Sequence, residues 1–253
     1  MQNLVYRFYE KRLEAALSEK DMPKHVGVLV DGNRRWALSQ GFEKAGQGHA
    51  AGARKIIDFL SWCSELGVKR VTLYLLSTDN LTGRSKDELD ELIEIIVSLS
   101  EELAKLSRWK LQVVGDISSL PFQAAQRLGK VEKKTAKNQG THVNLAVAYG
   151  GRKEIADAMR SILKKHALTG ASIEELAEVM TPDLIAEHLY TGGQPDPDLL
   201  IRTSGEQRLS GFLLWQSANS EFYFAEALWP DFRKVDFLRA MRDFQRRRRR
   251  FGA

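Results

Sequence analysis

The feature that most constrains this chain is a set of short strand-like runs that are apolar at successive positions. They are Val26 to Val30, Val71 to Leu76, Leu111 to Val114, His142 to Ala148, Leu199 to Arg202 and, less regular, Glu221 to Ala225. A strand with one wet face alternates apolar and polar residues, whereas a strand apolar throughout is covered on both faces. Between the runs lie stretches with helical periodicity, such as Ala50 to Leu66 and Ile155 to Leu168. Buried strands alternating with helices predict an α/β fold: a central, mostly parallel six-stranded sheet flanked by helices. No repeat or low-complexity linker divides the 253 residues. They are read as one domain, with a helical N-terminal segment over 1–23 and a basic C-terminal helix and tail over 233–253. The strongest loop signal is TGGQPDPD, Thr191 to Asp198.

Composition removes several classes. Apolar residues make up 43% and charged residues 28%, which excludes wholesale disorder. A single cysteine, Cys63, rules out an internal disulfide or a multi-cysteine zinc site and points to a reducing, cytoplasmic setting. The N-terminus is punctuated by charge and no run approaches the length needed to span a bilayer, so any membrane contact is expected to be peripheral. Lys+Arg 38 against Asp+Glu 33 leaves a net charge of only +5. The arginine run Arg246 to Arg250 therefore reads as a solvated helix end before it reads as a nucleic-acid or acidic-lipid contact.

Three polar clusters follow strands. Asp31-Gly32-Asn33-Arg34-Arg35-Trp36 follows the first, where open parallel sheets bind ligands beyond the strands' carboxyl ends. Asp-Gly is a common turn, but with Asn33 and two arginines an anion-binding loop weighs equally. Ser77-Thr78-Asp79-Asn80, with Arg84 and Glu88 beyond, follows the second strand. These are turn and cap residues by type, and rim residues by position. The third cluster, Arg202-Thr203-Ser204-Gly205-Glu206-Gln207-Arg208-Leu209-Ser210, offers bidentate donors and hydroxyls for a phosphate-bearing ligand. Glu221 opens the last strand-like run; it could join Asp31 in holding a hard divalent cation, or form a rim salt bridge.

Ser85 followed by Glu88 matches a capping box and predicts a helix start. The helix's apolar stripe, Leu89, Leu92, Ile93, Ile96, Leu99, Leu103 and Leu106, is widened by Ile95 and Val97. Such a helix is either deeply buried or lines an apolar cavity with its second face. Gly46-Gln47-Gly48-His49 up to Gly52 fails as a dinucleotide fingerprint on spacing and context, and no P-loop or G-x-S-x-G elbow is present. The histidines show no metal-ligand spacing; His49 stays open because it sits near the Gly-rich start of a helix.

His25 to Ala37 (HVGVLVDGNRRWA), the Ser77 to Asn80 rim, Asn144 to Arg152 (NLAVAYGGR), Asp198 to Gln216 (DLLIRTSGEQRLSGFLLWQ) and Leu228 to Phe232 (LWPDF) resemble the signature blocks of the cis-prenyltransferases, the undecaprenyl-diphosphate-synthase family. The likeness runs in order from about Lys24 to Phe251. It implies a homodimeric α/β fold with a hydrophobic tunnel. It also implies Mg²⁺-dependent condensation of isopentenyl diphosphate with an allylic diphosphate, without nucleic acid. By the same resemblance, Asp31 holds Mg²⁺ and the allylic diphosphate, with Gly32, Asn33, Arg34, Arg35 and Trp36 completing that loop. Arg202, Arg208 and Ser210 match the isopentenyl-diphosphate site, and Glu221 the second Mg²⁺ carboxylate, contributed near the dimer-related part of the site. His49, Ser77, Thr78, Asn80, Arg84 and Glu88 match further active-site positions, with Arg84 displaced by an inserted Gly83. The proton acceptor stays open among His49, Asn80 with a water, and the released diphosphate.

Product length is expected to follow from the departures. Many long-chain members have Leu-Tyr-Ala-Phe-Ser where this chain has Leu73-Tyr74-Leu75-Leu76-Ser77. Leucine for alanine adds about three heavy atoms, which a close-packed tunnel cannot absorb. Leu75 and Leu76 thus resemble the short-chain branch that makes (2Z,6E)-farnesyl diphosphate from geranyl diphosphate. The alternatives are a long-chain polyprenyl diphosphate synthase and a non-catalytic partner subunit.

Overall fold

The structure, a computed structural model, describes residues 2–170 and 172–248. In chain order the helices and strands are α1 (Gln2–Ala15), β1 (His25–Leu29), α2 (Asn33–Ser39), α3 (Ala45–Glu65), β2 (Arg70–Tyr74), α4 (Thr78–Gly83), α5 (Lys86–Leu106), β3 (Lys110–Val114), α6 (Phe122–Thr135), β4 (His142–Ala146), α7 (Gly151–Ala167), α8 (Ile173–Val179), α9 (Pro182–Glu187), β5 (Leu199–Arg202), β6 (Glu221–Phe224) and α10 (Lys234–Arg248). Each strand-like run is a strand; β1, β2 and β3 begin one residue before their runs, and β1, β2, β4 and β6 end one or two residues short of theirs. Both helices cited from periodicity begin earlier than their apolar pattern, at Ala45 and Gly151, because the first turn of α3 is glycine-rich and that of α7 is charged.

The six strands form one sheet in the order β3-β4-β2-β1-β5-β6, and every pairing is parallel, so the sheet is more regular than the "mostly parallel" expectation. All five residues of β1 and all four of β5 are buried, as strands covered on both faces must be. One face of β1 presents Val26 and Val28 to a core shared with Phe59, Leu60, Leu103 and Phe237 from α3, α5 and α10. The other presents Leu29 to a smaller core of Tyr149, Leu200, Phe212 and Leu213. Between them Gly27 has no room for a side chain: a Cβ there would lie 2.2 Å from Leu200.

Strand order reverses at β1. From it the chain builds outward to β2 on one side, and the late strands β5 and β6 fill the other. Such a switch point leaves a crevice beyond the carboxyl ends of the central strands. Helices α2 and α3 wall this crevice at close range. A Cβ on Gly48 would sit 2.0 Å from the Asn33 carbonyl oxygen, and one on Gly52 2.2 Å from the Asn33 side chain. The glycine run that fails as a nucleotide fingerprint is thus a helix-packing surface.

Ser85 caps α5 by accepting from the Glu88 N–H at 3.4 Å, but the reciprocal half of the expected capping box is missing, because the Glu88 carboxylate is turned to Arg84. The complete box is at α8, between Ser172 and Glu175. In the arginine run, Arg247 donates to Glu221 at 3.2 Å and to the Phe222 carbonyl at 2.9 Å; Arg249 and Arg250 lie outside the described residues. Among the described residues no helix is long and apolar enough to cross a membrane.

Candidate active site

The crevice opens into a cavity of about 370 Å³ whose two ends differ in chemistry. Its rim carries Asp31, Arg34, Arg35, Asp79, Arg84 and Arg202; its floor is Ile56, Leu75, Leu76, Leu92, Ile95, Ile96 and Leu99. The wide apolar stripe of α5 is thereby accounted for: Val97 and Leu103 bury into the core, while Leu92, Ile95, Ile96 and Leu99 turn to the cavity. A cationic rim over an apolar floor suits an amphiphile with an anionic head.

The loop after β1 is set by its backbone. Gly32 has φ of 108°, and a Cβ there would meet Leu228 at 2.9 Å, so only glycine serves. Trp229 donates its main-chain N–H to the Asp31 carbonyl at 3.0 Å and its indole N–H to the Gly52 carbonyl at 2.9 Å, clamping the loop between α3 and the segment after β6. From β5, Thr203 accepts from the Asp31 N–H at 3.0 Å and donates to the Asp31 carbonyl at 2.7 Å. This leaves the Asp31 carboxylate facing Arg202, whose Nη2 donates to it at 2.7 Å; the Arg202 side chain is only 5% exposed. Arg202 also donates to Ser210 Oγ at 2.8 Å and to the Arg208 carbonyl. Arg35 lies 3.8 Å from Asp31 and 3.7 Å from Glu206, and donates to the Ser204 carbonyl at 3.3 Å.

On the opposite wall Ser77 does both jobs its residue type allowed. It caps α4 by accepting from the Asn80 N–H at 3.1 Å, and it lines the cavity with Asn80. Arg84 joins the Glu88 carboxylate and donates to His49 Nε2 at 3.2 Å. Burial first, then the neighbouring Arg84 charge, pushes His49 down to about 4, so the ring is neutral, with Nε2 as acceptor.

The structure brings Asp31, Gly32, Asn33, Arg34, Arg35, His49, Leu75, Leu76, Ser77, Asn80, Arg84, Arg202 and Ser210 around one cavity. Other expected residues stand apart from its lining. Trp36 turns outward, donating its indole N–H to Asp231 at 2.9 Å and packing against Phe42. Thr78 borders a neighbouring, smaller cavity with Gly150 and Arg152. Arg208 is mostly exposed and paired with Glu206, and Glu88 contributes by holding Arg84 and approaching Arg34 at 3.7 Å. Within one copy Glu221 stands apart from Asp31. It opens β6, level with Leu199, whereas Asp31 follows the far end of β1. In parallel strands those positions are at opposite edges of the sheet, and there Glu221 pairs with Arg247. The acidic residues that do follow strand ends here, Glu206 and Glu226, carried no signal in the sequence beyond their position after β5 and β6; a Cβ on Gly205 would lie 2.7 Å from the Glu226 carboxylate.

Among the described residues no group of three His, Cys, Asp or Glu could hold a metal unaided. Asp31 alone, with its side chain 36% exposed at the rim, still fits Mg²⁺, which takes one or two protein carboxylates and completes its shell with water and phosphate oxygens. Three buried polar atoms of residues that line the cavity have no protein partner: Asn33 Oδ1, Arg84 Nε and Arg202 Nε. Two of them are cationic donors, in keeping with an anionic ligand.

The family model for undecaprenyl diphosphate synthase matches residues 29–252. Among curated proteins, the (2Z,6E)-farnesyl diphosphate synthase of Thermobifida fusca is 57% identical, covering 98% of this chain and 97% of its own. The (2Z,6E)-farnesyl diphosphate synthase of Mycolicibacterium smegmatis is 55% identical over 98% and 95% of the two chains. Among solved structures, lavandulyl diphosphate synthase from Lavandula x intermedia, in complex with dimethylallyl diphosphate, superposes with a TM-score of 0.82 at 36% identity. That match covers 89% of this chain and 96% of the other.

Proposed function

The chain belongs to the undecaprenyl diphosphate synthase family of cis-prenyltransferases, and from that premise we propose that it condenses isopentenyl diphosphate with geranyl diphosphate to give (2Z,6E)-farnesyl diphosphate. The observation that carries the short product is the cavity floor, where Leu75 and Leu76 stand with Ile95 and Leu99. Each added prenyl unit must push the tail deeper, and a packed floor yields little. The names of the two (2Z,6E)-farnesyl diphosphate synthases to which the chain is similar support the same length.

The allylic diphosphate is assigned to the Asp31 to Arg35 loop and the isopentenyl diphosphate to Arg202, Arg208 and Ser210. Mg²⁺, held by Asp31 with diphosphate oxygens, supplies positive charge against the leaving group when bound. The arginines hold the departing diphosphate while the allylic C–O bond breaks, so that charge develops beside donors already in position. The isopentenyl double bond supplies the electron pair for the new C–C bond, and a proton is lost from the adjacent carbon. His49 serves here by holding Arg84 rather than as the proton acceptor, because its accepting nitrogen is already engaged and its basicity is low. Asn80 with a water, or the released diphosphate, is left for that step.

Glu221 enters the proposal only through a second copy, as the second Mg²⁺ carboxylate. Support for a homodimer comes from β6, an edge strand that carries the stacked rings of Phe222 and Phe224, the latter 37% exposed. The enzyme is placed in the cytoplasm, with any membrane contact peripheral.

The test is an assay of purified protein with labelled isopentenyl diphosphate and either geranyl or all-trans farnesyl diphosphate, with and without Mg²⁺, resolving products by length. One short, Mg²⁺-dependent product from the geranyl primer is expected, and Leu75→Ala should lengthen it. A ladder of long polyprenyl chains from the parent, or an unchanged product from Leu75→Ala, would refute the floor argument.

A further inference from the structure

A packed floor limits product length only if the wall that carries it holds still. Four of the floor residues, Leu92, Ile95, Ile96 and Leu99, belong to one helix, α5. The placement of α5 therefore sets the depth of the cavity.

Helix α5 also packs on α6. Glu94 and Glu101 lie two turns apart on α5, centred about 160° round the helix from the four floor residues. Arg127 of α6 joins both. Its Nε and Nη2 donate to the two oxygens of Glu101 at 2.8 and 2.9 Å, and its Nη1 donates to both oxygens of Glu94, at 2.9 and 2.7 Å. These bonds hold both carboxyls below the ordinary carboxylate range, so the pairs stay ionised. One guanidinium thus spans two turns of the helix on the side away from the cavity.

Helix α6 is itself fixed to the sheet. β3 is an edge strand, and α6 takes up its outward N–H groups: Leu111 donates to Thr135 Oγ1 at 3.0 Å and Val113 to Glu132 Oε1 at 2.7 Å. A series of directional bonds therefore runs from the sheet through α6 and Arg127 to the back of the cavity floor. The apolar part of the same seam is less exacting. Val97 and Ala104 of α5 join Ala124, Leu128 and Val131 of α6 in the main core. Such contacts are non-directional and tolerate a slide, whereas a planar guanidinium fork fixes one register on its carboxylates.

We propose that Arg127 is a positioning residue for product length: bonded to Glu94 and Glu101, it fixes α5 so that the floor admits a geranyl tail and excludes a farnesyl tail. This rests on the short-product reading and assigns the depth of the cavity to a residue outside it. Arg127 does not line the cavity and acts through α5.

The test compares the parent with Arg127→Gln, with the double variant Glu94→Gln/Glu101→Gln, and with the triple variant that combines them. Leu13→Ala, in the separate small core of α1 and α10, controls for loosening of the fold in general. Each is assayed for thermal midpoint, product length, and the ratio of kcat/KM with all-trans farnesyl diphosphate to that with geranyl diphosphate. Arg127→Gln should raise that ratio by roughly 3- to 10-fold, the range that two partly exposed ion pairs supply, and add a product one isoprene unit longer. The double variant should do the same, and the triple variant no more than either, because all three remove the same bonds. Leu13→Ala should lower the midpoint at least as far, yet leave the ratio within about twofold of the parent's. A parent-like ratio and a single product in Arg127→Gln overturn the proposal. So does an equal shift in Leu13→Ala, or an additive one in the triple variant. If the parent itself elongates farnesyl diphosphate as readily as geranyl diphosphate, the short-product reading fails and this inference falls with it.

Discussion

Glu154 offers the sharpest test of how the site is held in shape. It lies in α7, is 1% exposed, and forms no ion pair among the described residues. Instead it accepts from the Tyr149 hydroxyl, from Gln216 Nε2 at 3.1 Å and from the Tyr190 N–H at 2.9 Å. Through Tyr149 it reaches the wall at β2, because the Tyr149 carbonyl accepts from the Thr78 N–H at 2.9 Å, and the Tyr149 N–H donates to Leu76 at 3.0 Å. Through Gln216 it reaches the segment that carries Ser210. Replacing Glu154 with alanine leaves Tyr149 and the Tyr190 N–H unpaired; Gln216 keeps Thr191 Oγ1 at 2.9 Å. Two orphaned buried donors and a cavity together should cost about 3–5 kcal/mol, or roughly 10 °C of melting temperature for a chain of this size. Glu154→Gln keeps an acceptor for Tyr190, and the Tyr149 hydroxyl can rotate to accept, so its cost should be about 1 kcal/mol.

The two variants also differ in their pH response. Burial raises the Glu154 pKa, so this group favours the fold at low pH and its contribution is lost as pH rises through the raised value. That loss with rising pH should vanish in Glu154→Gln. Urea denaturation of parent and variants across pH, at one fixed protomer concentration, measures all three quantities. A Glu154→Ala within 1 kcal/mol of the parent, or a Glu154→Gln as damaged as the alanine variant, would refute the view of Glu154 as a buried acceptor joining two walls.

Acid should unfold the protein early. Burial, foremost, pushes His25, His49 and His142 each down to about 4, so folding keeps them neutral while the unfolded chain protonates them near 6.5. Their stabilisation is complete above pH 6.5 and is lost as pH falls toward 4; His25, 2% exposed, should account for about 3 kcal/mol by pH 4. Stability that is flat between pH 7 and pH 5 would contradict this. Gly48→Ala should force α2 from α3, destabilising by about 1–3 kcal/mol and lowering activity, because its Cβ meets the Asn33 backbone at 2.0 Å. Gly83→Ala, with nothing within 4 Å, should be neutral or slightly stabilising; equal effects at the two glycines would remove the packing argument.

Much of this protein could be read without coordinates. Strand burial is written locally, as apolar residues in succession, so the runs around Val28, Leu73 and Ile201 declared a sheet covered on both sides. Polar clusters immediately after those runs, at Asp31, Ser77 and Arg202, declared the rim where a ligand binds, because parallel strands all end on one edge. What the sequence could not express is which ends stand together. Asp31 and Arg202 are 171 residues apart, and their 2.7 Å contact exists only because β5 is laid directly against β1 at the switch point. The same sheet carries Glu221 to the opposite edge, since it opens its strand rather than following it. Tertiary packing also decided protonation and conformation. Burial beside Arg84 makes His49 a neutral acceptor, and bonds to the Ala225 and Ala227 carbonyls, in the segment after β6, hold the turn at Ser204 in its left-handed conformation. Period and composition belong to short stretches of chain; adjacency, desolvation and strain are set by what long-range packing places beside them.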